Sequence, residues 1–209
     1  MNVYDLTFRE LLEKAGSSSP TPGGGTIAAL AAALGASMGA MAANLTMGPK
    51  YEVVRERMRN VADTMTAAND DFERIAHQDM EVFNSYMSSL GMPKGTDEEK
   101  RARTLALQTA AQQAADVPLC LMRRCLQLMN DLDGAADQVN SNVSSDLGIA
   151  LLMLDAAVQS AWITAEINIY SLNDVVLLKR YEEEGTVLAR QSEDTKRMVM
   201  QRIRERIVR

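Results

Sequence analysis

The chain has one histidine, two cysteines, one tryptophan and five prolines among its 209 residues. A single histidine, His77, excludes a two-histidine metal site and any proton relay between paired histidines. Cys120 and Cys125 stand five apart, which matches neither a metal-binding spacing nor a disulfide and suits a reducing cytoplasm. No basic start followed by an apolar core opens the chain, so a signal peptide is not expected. Aromatics are few, while Ala, Leu, Met, Glu and Arg abound, which argues for an all-α protein. A net charge of -6 argues against wholesale nucleic-acid binding. Catalysis, if any, falls to Asp, Glu, Lys, Tyr, Ser or Asn acting on a substrate that is already electrophilic.

What the chain does have is the stretch from Ser17 to Gly25 and the Ala-rich run after it, Thr26 to Leu45. Pro20 and Pro22 forbid a helix there, and Gly23, Gly24 and Gly25 permit close approach of a ligand or neighbouring helix. Ile27, Leu30, Leu34, Met38, Met41 and Leu45 then form one helical stripe among small residues, and this run reads as a central, buried helix. It is uncharged and long enough to span a bilayer, but its Ala and Gly content suits a soluble core, so no membrane is expected. Gly23-x-Gly25-x-x-Ala28 mimics a dinucleotide fingerprint, yet Ser, Thr and Pro precede it where a strand is required.

Before it, Val3 to Lys14 reads as a short helix; after it, Lys50 to Leu90 reads as a long one. The seam of the long helix runs Val54, Met58, Val61, Met65, Ala68, Phe72, Ile75, then Val82 and Tyr86. Asp79 interrupts it. A carboxylate on an apolar stripe is costly unless paired, capping a neighbouring helix, or used in chemistry. Thr96 and Glu99 form a capping box that opens a helix to about Ala115, and Pro118 is expected to interrupt or kink it. Asn140 to Asp146 is a polar cluster richer than capping alone needs. It precedes a helix whose stripe is Leu147, Leu151, Leu154, Val158, Ala161, Ala165 and Ile169, with Asn168 beside it as a core amide. A last helix, Asp174 to Val208, is expected to break or bend near Gly185 and to end in a basic solvated or inter-subunit face at Arg202, Arg204, Arg206 and Arg209. The sum is one domain, residues 1–209, with about seven helices bundled around the Ala/Gly-rich one.

Ser19-Pro-Thr-Pro-Gly-Gly-Gly25, Asn44-Leu-Thr with Lys50-Tyr51, Asp79-x-x-x-Phe83, Met92-Pro-Lys94 with Arg101, Asp116-Val-Pro118 and Asn140-x-Asn142-x-x-Ser145-Asp146 together resemble the cyclodeaminase/cyclohydrolase family of folate enzymes. The likeness implies an all-helical homodimer acting in the cytoplasm at the methenyl bridge of tetrahydrofolate. The folate is then a substrate, with no cofactor or metal. It implies catalytic roles for Asp79, Lys94 and Asp146, and substrate binding by Pro22, Gly23, Gly24, Gly25, Lys50, Tyr51, Asn140, Asn142 and Ser145. The expected reaction is 5,10-methenyltetrahydrofolate cyclohydrolase, since no transferase domain is fused to the chain; formiminotetrahydrofolate cyclodeaminase and a non-catalytic folate-binding dimer are the alternatives. The glycine turn is expected to face both Asp79 and the Asn142–Asp146 cluster across one cleft.

Overall fold

A computed structural model describes residues 2–207, so Val208 and Arg209, the expected end of the last helix, lie outside the described residues. Among the described residues there are six α-helices and no strand: α1 Phe8–Ala15, α2 Gly24–Asn44, α3 Arg55–Leu90, α4 Asp97–Ala135, α5 Ser144–Ile169 and α6 Val175–Ile207. Where the sequence predicts a helix from Val3, a 3-10 turn at Val3–Asp5 comes first, and Thr7 then caps α1 in a box with Glu10. A second 3-10 turn, Pro49–Val54, precedes α3, and Thr96 with Glu99 opens α4 as expected.

Pro118 does not break α4. It removes the N–H that would bond the carbonyl of Ala114, and the Asn168 side chain supplies the replacement, its Nδ2 donating to Ala114 O at 3.0 Å. Gly185 does not break α6 either. It makes room for the α5 indole, because a Cβ at Gly185 would lie 1.8 Å from the Trp162 ring. The basic end of α6 turns inward on its own chain: Arg202 pairs with Asp133 and Asp137, and Arg206 donates to the carbonyls of Ala136 and Val139. These arginines satisfy the C-terminal end of α4, which has no basic residue of its own in the last turn.

α2 lies at the centre against α3 and α5, but most of its predicted stripe faces away from them, with Leu30 and Met38 alone of that stripe packed partly against the core. Ala28, Ala29, Ala32, Gly35, Ala36, Gly39 and Ala43 are buried, whereas Ile27, Leu34, Met41 and Leu45 are 39%, 54%, 46% and 47% exposed. Small residues let backbones approach: a Cβ at Gly35 would stand 3.0 Å from Leu154 Cγ, and one at Gly39 3.2 Å from Leu132. Periodicity shows that two faces differ; it does not say which is inside. In α5 the expected stripe from Leu147 to Ile169 is buried, and Ile149, Leu152 and Ile163 stand outside. Gly24 faces Thr164 while Gly35 faces Ala150 and Leu154, so α2 and α5 run antiparallel.

Candidate active site

The first turn of α2 begins at Gly23, which offers no side chain to cap it. The cap comes from α3. Thr26 Oγ1 donates to Asp79 Oδ2 at 2.8 Å, across 53 positions of sequence. This close approach requires glycine at 25, where a Cβ would lie 2.1 Å from Asp79 Oδ1. The fault in the α3 seam is thus the carboxylate that serves the N-terminus of the central helix. Burial raises the Asp79 pKa above its ordinary value, and the hydroxyl and backbone hydrogen bonds from Thr26 pull the other way without cancelling it.

Asp79 borders a cleft of about 320 Å³ shared with Gly23, Gly24, Gly25, Phe83, Tyr86, Thr164 and Asn168. Among the described residues no Lys, Arg or His lines it. Asn168 spends both amide hydrogens on carbonyls, donating to Ala114 O at 3.0 Å and Thr164 O at 2.9 Å, so its Oδ1 is left as an acceptor at the cleft wall. Aromatic walls at Phe83 and Tyr86, an acceptor at Asn168 and an acid at Asp79 suit a flat, electron-poor or cationic group. A more open groove of about 500 Å³ continues from the cleft past Val82 and Val117 towards Arg74, Gln78 and Gln113. There Asp116 is already engaged, accepting from Tyr181 Oη at 2.5 Å.

The remaining expected site residues are not gathered at this cleft. Pro22 is buried on the side of the loop that faces α5. Lys94 is exposed in the turn beyond α3, and neither it nor Arg101 lines the cleft. Lys50, Tyr51, Asn140, Asn142, Ser145 and Asp146 sit at the other end of α2, where Asn140 N donates to Thr46 Oγ1 at 3.0 Å and Asn140 Nδ2 donates to Leu45 O at 3.2 Å. Lys50 Nζ lies 4.7 Å from the centre of the Tyr51 ring. The expectation that the glycine turn faces both Asp79 and the Asn142–Asp146 cluster therefore fails within one protomer. The 21 residues of α2 separate the two groups by about 30 Å at 1.5 Å per residue.

At that far end α5 starts from Val143, which gives no side-chain cap, and the side chains of Asn142, Ser145 and Asp146 form no hydrogen bond among the described residues. Ser144 is 1% exposed, and among the described residues its Oγ has no partner. Sequence reasoning missed Thr26 as the partner of Asp79 and Thr164 as a wall of the cleft. It treated Asn168 as a core amide only, although Pro118 four residues after Ala114 signals a carbonyl in need of a donor. Among the described residues no three His, Cys, Asp or Glu side chains converge to hold a metal.

The family model described as formiminotransferase-cyclodeaminase matches residues 7–186. The chain is 37% identical over 169 residues to a methenyltetrahydrofolate cyclohydrolase of Methylorubrum extorquens, covering 80% of this chain and 81% of that one. It is 35% identical over 160 residues to the formimidoyltransferase-cyclodeaminase of Gallus gallus, covering 76% of this chain but 30% of the other, so it spans about a third of that longer protein. Its fold matches the crystal structure of a formiminotetrahydrofolate cyclodeaminase from Thermotoga maritima with a TM-score of 0.87 and 28% identity, covering 99% of this chain and 100% of that one.

Proposed function

We propose, from the premise that this chain belongs to the formiminotransferase-cyclodeaminase family, that it hydrolyses 5,10-methenyltetrahydrofolate to 10-formyltetrahydrofolate. The chain is a folate one-carbon enzyme; which of the two family reactions it runs is the proposal. The observation that carries it is Asp79, half-buried, fixed by Thr26 and bordering a cleft that no cationic side chain among the described residues lines. The methenyl bridge is a cation between two nitrogens. A carboxylate beside it stabilises that charge, whereas a lysine or arginine would oppose it.

The proton inventory fits one carboxyl group. Ionised Asp79 takes a proton from water as the oxygen bonds to the bridging carbon, giving a neutral tetrahedral adduct. The same group returns that proton to N5 as the carbon–N5 bond breaks, and the hydroxyl proton is lost to solvent as the formyl group forms on N10. Net, one water is consumed and one proton released. A carboxyl with a raised pKa suits both halves of this cycle, acting first as base and then as acid. Phe83 and Tyr86 would flank the flat ring system, and Asn168 Oδ1 would accept from one of its N–H groups.

The identity to the Methylorubrum extorquens protein favours hydrolysis, and the likeness to the Thermotoga maritima structure keeps cyclodeamination as the alternative. In that reaction N10 would attack the formimino carbon and ammonia would leave, protonated from the same Asp79. One assay on the purified protein separates them. Loss of methenyl absorbance, faster than in buffer and abolished in Asp79→Asn, supports hydrolysis. A gain of methenyl absorbance with ammonia from formiminotetrahydrofolate supports the deaminase. Binding of folate with neither change would indicate a non-catalytic protein. We read the protein as a cytoplasmic homodimer needing no metal or further cofactor, a reading that its two free cysteines suit.

A further inference from the structure

The cleft at Asp79 is poor in side-chain donors. Thr164 Oγ1 donates to the carbonyl of Ser160 at 3.1 Å, Asn168 spends both of its amide hydrogens, and Thr26 gives its hydroxyl hydrogen to Asp79. Of the hydroxyls that line the cleft, those of Tyr86 and Thr21 form no hydrogen bond among the described residues. Thr21 belongs to the loop before α2. Tyr86 is half-buried and stands on the same face of α3 as Asp79 and Phe83, two helical turns or about 10 Å beyond the carboxylate. A side chain of this length leans back over the preceding turn of its helix, which carries the phenol end towards Asp79. A ring alone would serve as a wall, as Phe83 does one turn earlier. The hydroxyl is surplus to that task.

The proposed hydrolysis creates a group that the substrate lacks. The bridging carbon of methenyltetrahydrofolate bears no oxygen until water has added to it. As the adduct breaks down, its hydroxyl proton passes to a solvent water, and the electron pair left on oxygen becomes the second bond of the formyl carbonyl. The carbon–N5 bond breaks with both electrons going to N5, which takes the proton held by Asp79. Negative charge therefore develops on the oxygen, and a donor aimed at it lowers the barrier. Asp79 cannot be that donor, because its one proton goes to N5 and leaves an acceptor-only carboxylate. We propose that Tyr86 is a further catalytic residue, its hydroxyl donating a hydrogen bond to the adduct oxygen as that oxygen becomes the formyl oxygen. Tyr86 keeps its own proton throughout. This assignment rests on the hydrolytic reading of the Asp79 site.

Tyr86→Phe removes the hydroxyl and keeps the ring, so the melting temperature should hold. Loss of one donor to a developing oxyanion should cut kcat for methenyl hydrolysis about 100-fold. KM should stay within about twofold of the parent's, because the substrate has no oxygen at that carbon for the hydroxyl to bind. The parent's kcat in Tyr86→Phe overturns the proposal, and so does a loss confined to KM or to thermal stability, which is what a mere wall would show. A parent-like Tyr86→Phe beside an impaired Thr21→Val overturns it in favour of the loop hydroxyl. Equilibrium binding tests the same contact without turnover, since 10-formyltetrahydrofolate carries the oxygen and tetrahydrofolate does not. Tyr86→Phe should bind the first about fivefold more weakly, the size of one neutral hydrogen bond, and the second as the parent does. An unchanged ratio of the two affinities overturns the proposal. A parent that releases ammonia and gains methenyl absorbance without hydrolysing the methenyl compound sinks the hydrolytic reading, and this role of Tyr86 with it. A hydrolysing parent with an undisturbed Tyr86→Phe removes Tyr86 alone and leaves the reading of Asp79 standing.

Discussion

The carboxylate of Asp79 occupies the space that a side chain at Gly25 would need: a Cβ there would stand 2.1 Å from Oδ1 and 2.6 Å from Cγ. The two residues come from different helices, and neither position can be understood without the other.

Gly25→Ala must therefore displace Asp79. A misplacement of about 1 Å in a catalytic group can cost about 100-fold in rate, and a loss of that size in kcat is expected with the helical spectrum unchanged. Gly24→Ala is the control. Its added Cβ would meet only Thr164 Oγ1 at 3.6 Å, an ordinary contact, so fold and melting temperature should hold. Equal losses for the two variants would mean that the glycines serve loop conformation and not the seating of Asp79.

Asp79→Asn should be inactive yet more stable than the parent at neutral pH. Folding raises the Asp79 pKa from its ordinary 3.8, so the native state holds its proton more tightly than the unfolded chain does. Parent stability then falls as pH climbs from below the ordinary value through the raised one. The amide oxygen of Asn can still accept from Thr26 without that cost. Melting curves should show the variant ahead at pH 7, with the difference shrinking at about pH 4 and below. The parent's rate should drop as the solution is acidified through the raised pKa, because the attack on carbon needs the ionised form. A pH-independent rate in this range would remove Asp79 from the base role.

Asn168 and Pro118 should be coupled. Asn168→Ala orphans the carbonyl of Ala114, at a cost of about 1–3 kcal/mol. Pro118→Ala restores a backbone N–H able to reach the same carbonyl. In a double-mutant cycle read by urea denaturation, Asn168→Ala should cost less by about 1 kcal/mol in the Pro118→Ala background than in the parent. Strict additivity would show that the Asn168 amide is not the substitute donor.

Gly185→Ala should destabilise the α5–α6 packing, since its Cβ would lie 1.8 Å from Trp162. Overpacking of this kind costs about 1–3 kcal/mol. At this chain length about 1 kcal/mol shifts the melting temperature by about 2–4 °C, so a fall of several degrees is expected. Trp162 is the only tryptophan, so its fluorescence should report the displaced ring directly.

Much of the architecture was legible in the sequence because it rests on local rules. The capping box at Thr96, the seam of α3 and the stripe of α5 are short-range patterns that a helix obeys wherever it lies. Asp79 was visible for the same reason, as a charge at a position where the period demands an apolar residue. The continuity of α4 through Pro118 and of α6 through Gly185 was not legible, because each depends on a side chain from α5, Asn168 in one case and Trp162 in the other.

By itself the sequence determined that there are helices, where most of them begin, and that a carboxylate is out of place at 79. Only the tertiary structure decided what each face meets. It turned the small residues of α2 inward, because backbones packed closely leave no room for Leu34 or Met41, and set most of the larger ones outward. It joined Asp79 to Thr26 across 53 positions and held the Asn142–Asp146 cluster a helix length away. Periodicity is a property of one element, whereas burial and catalytic proximity are properties of at least two.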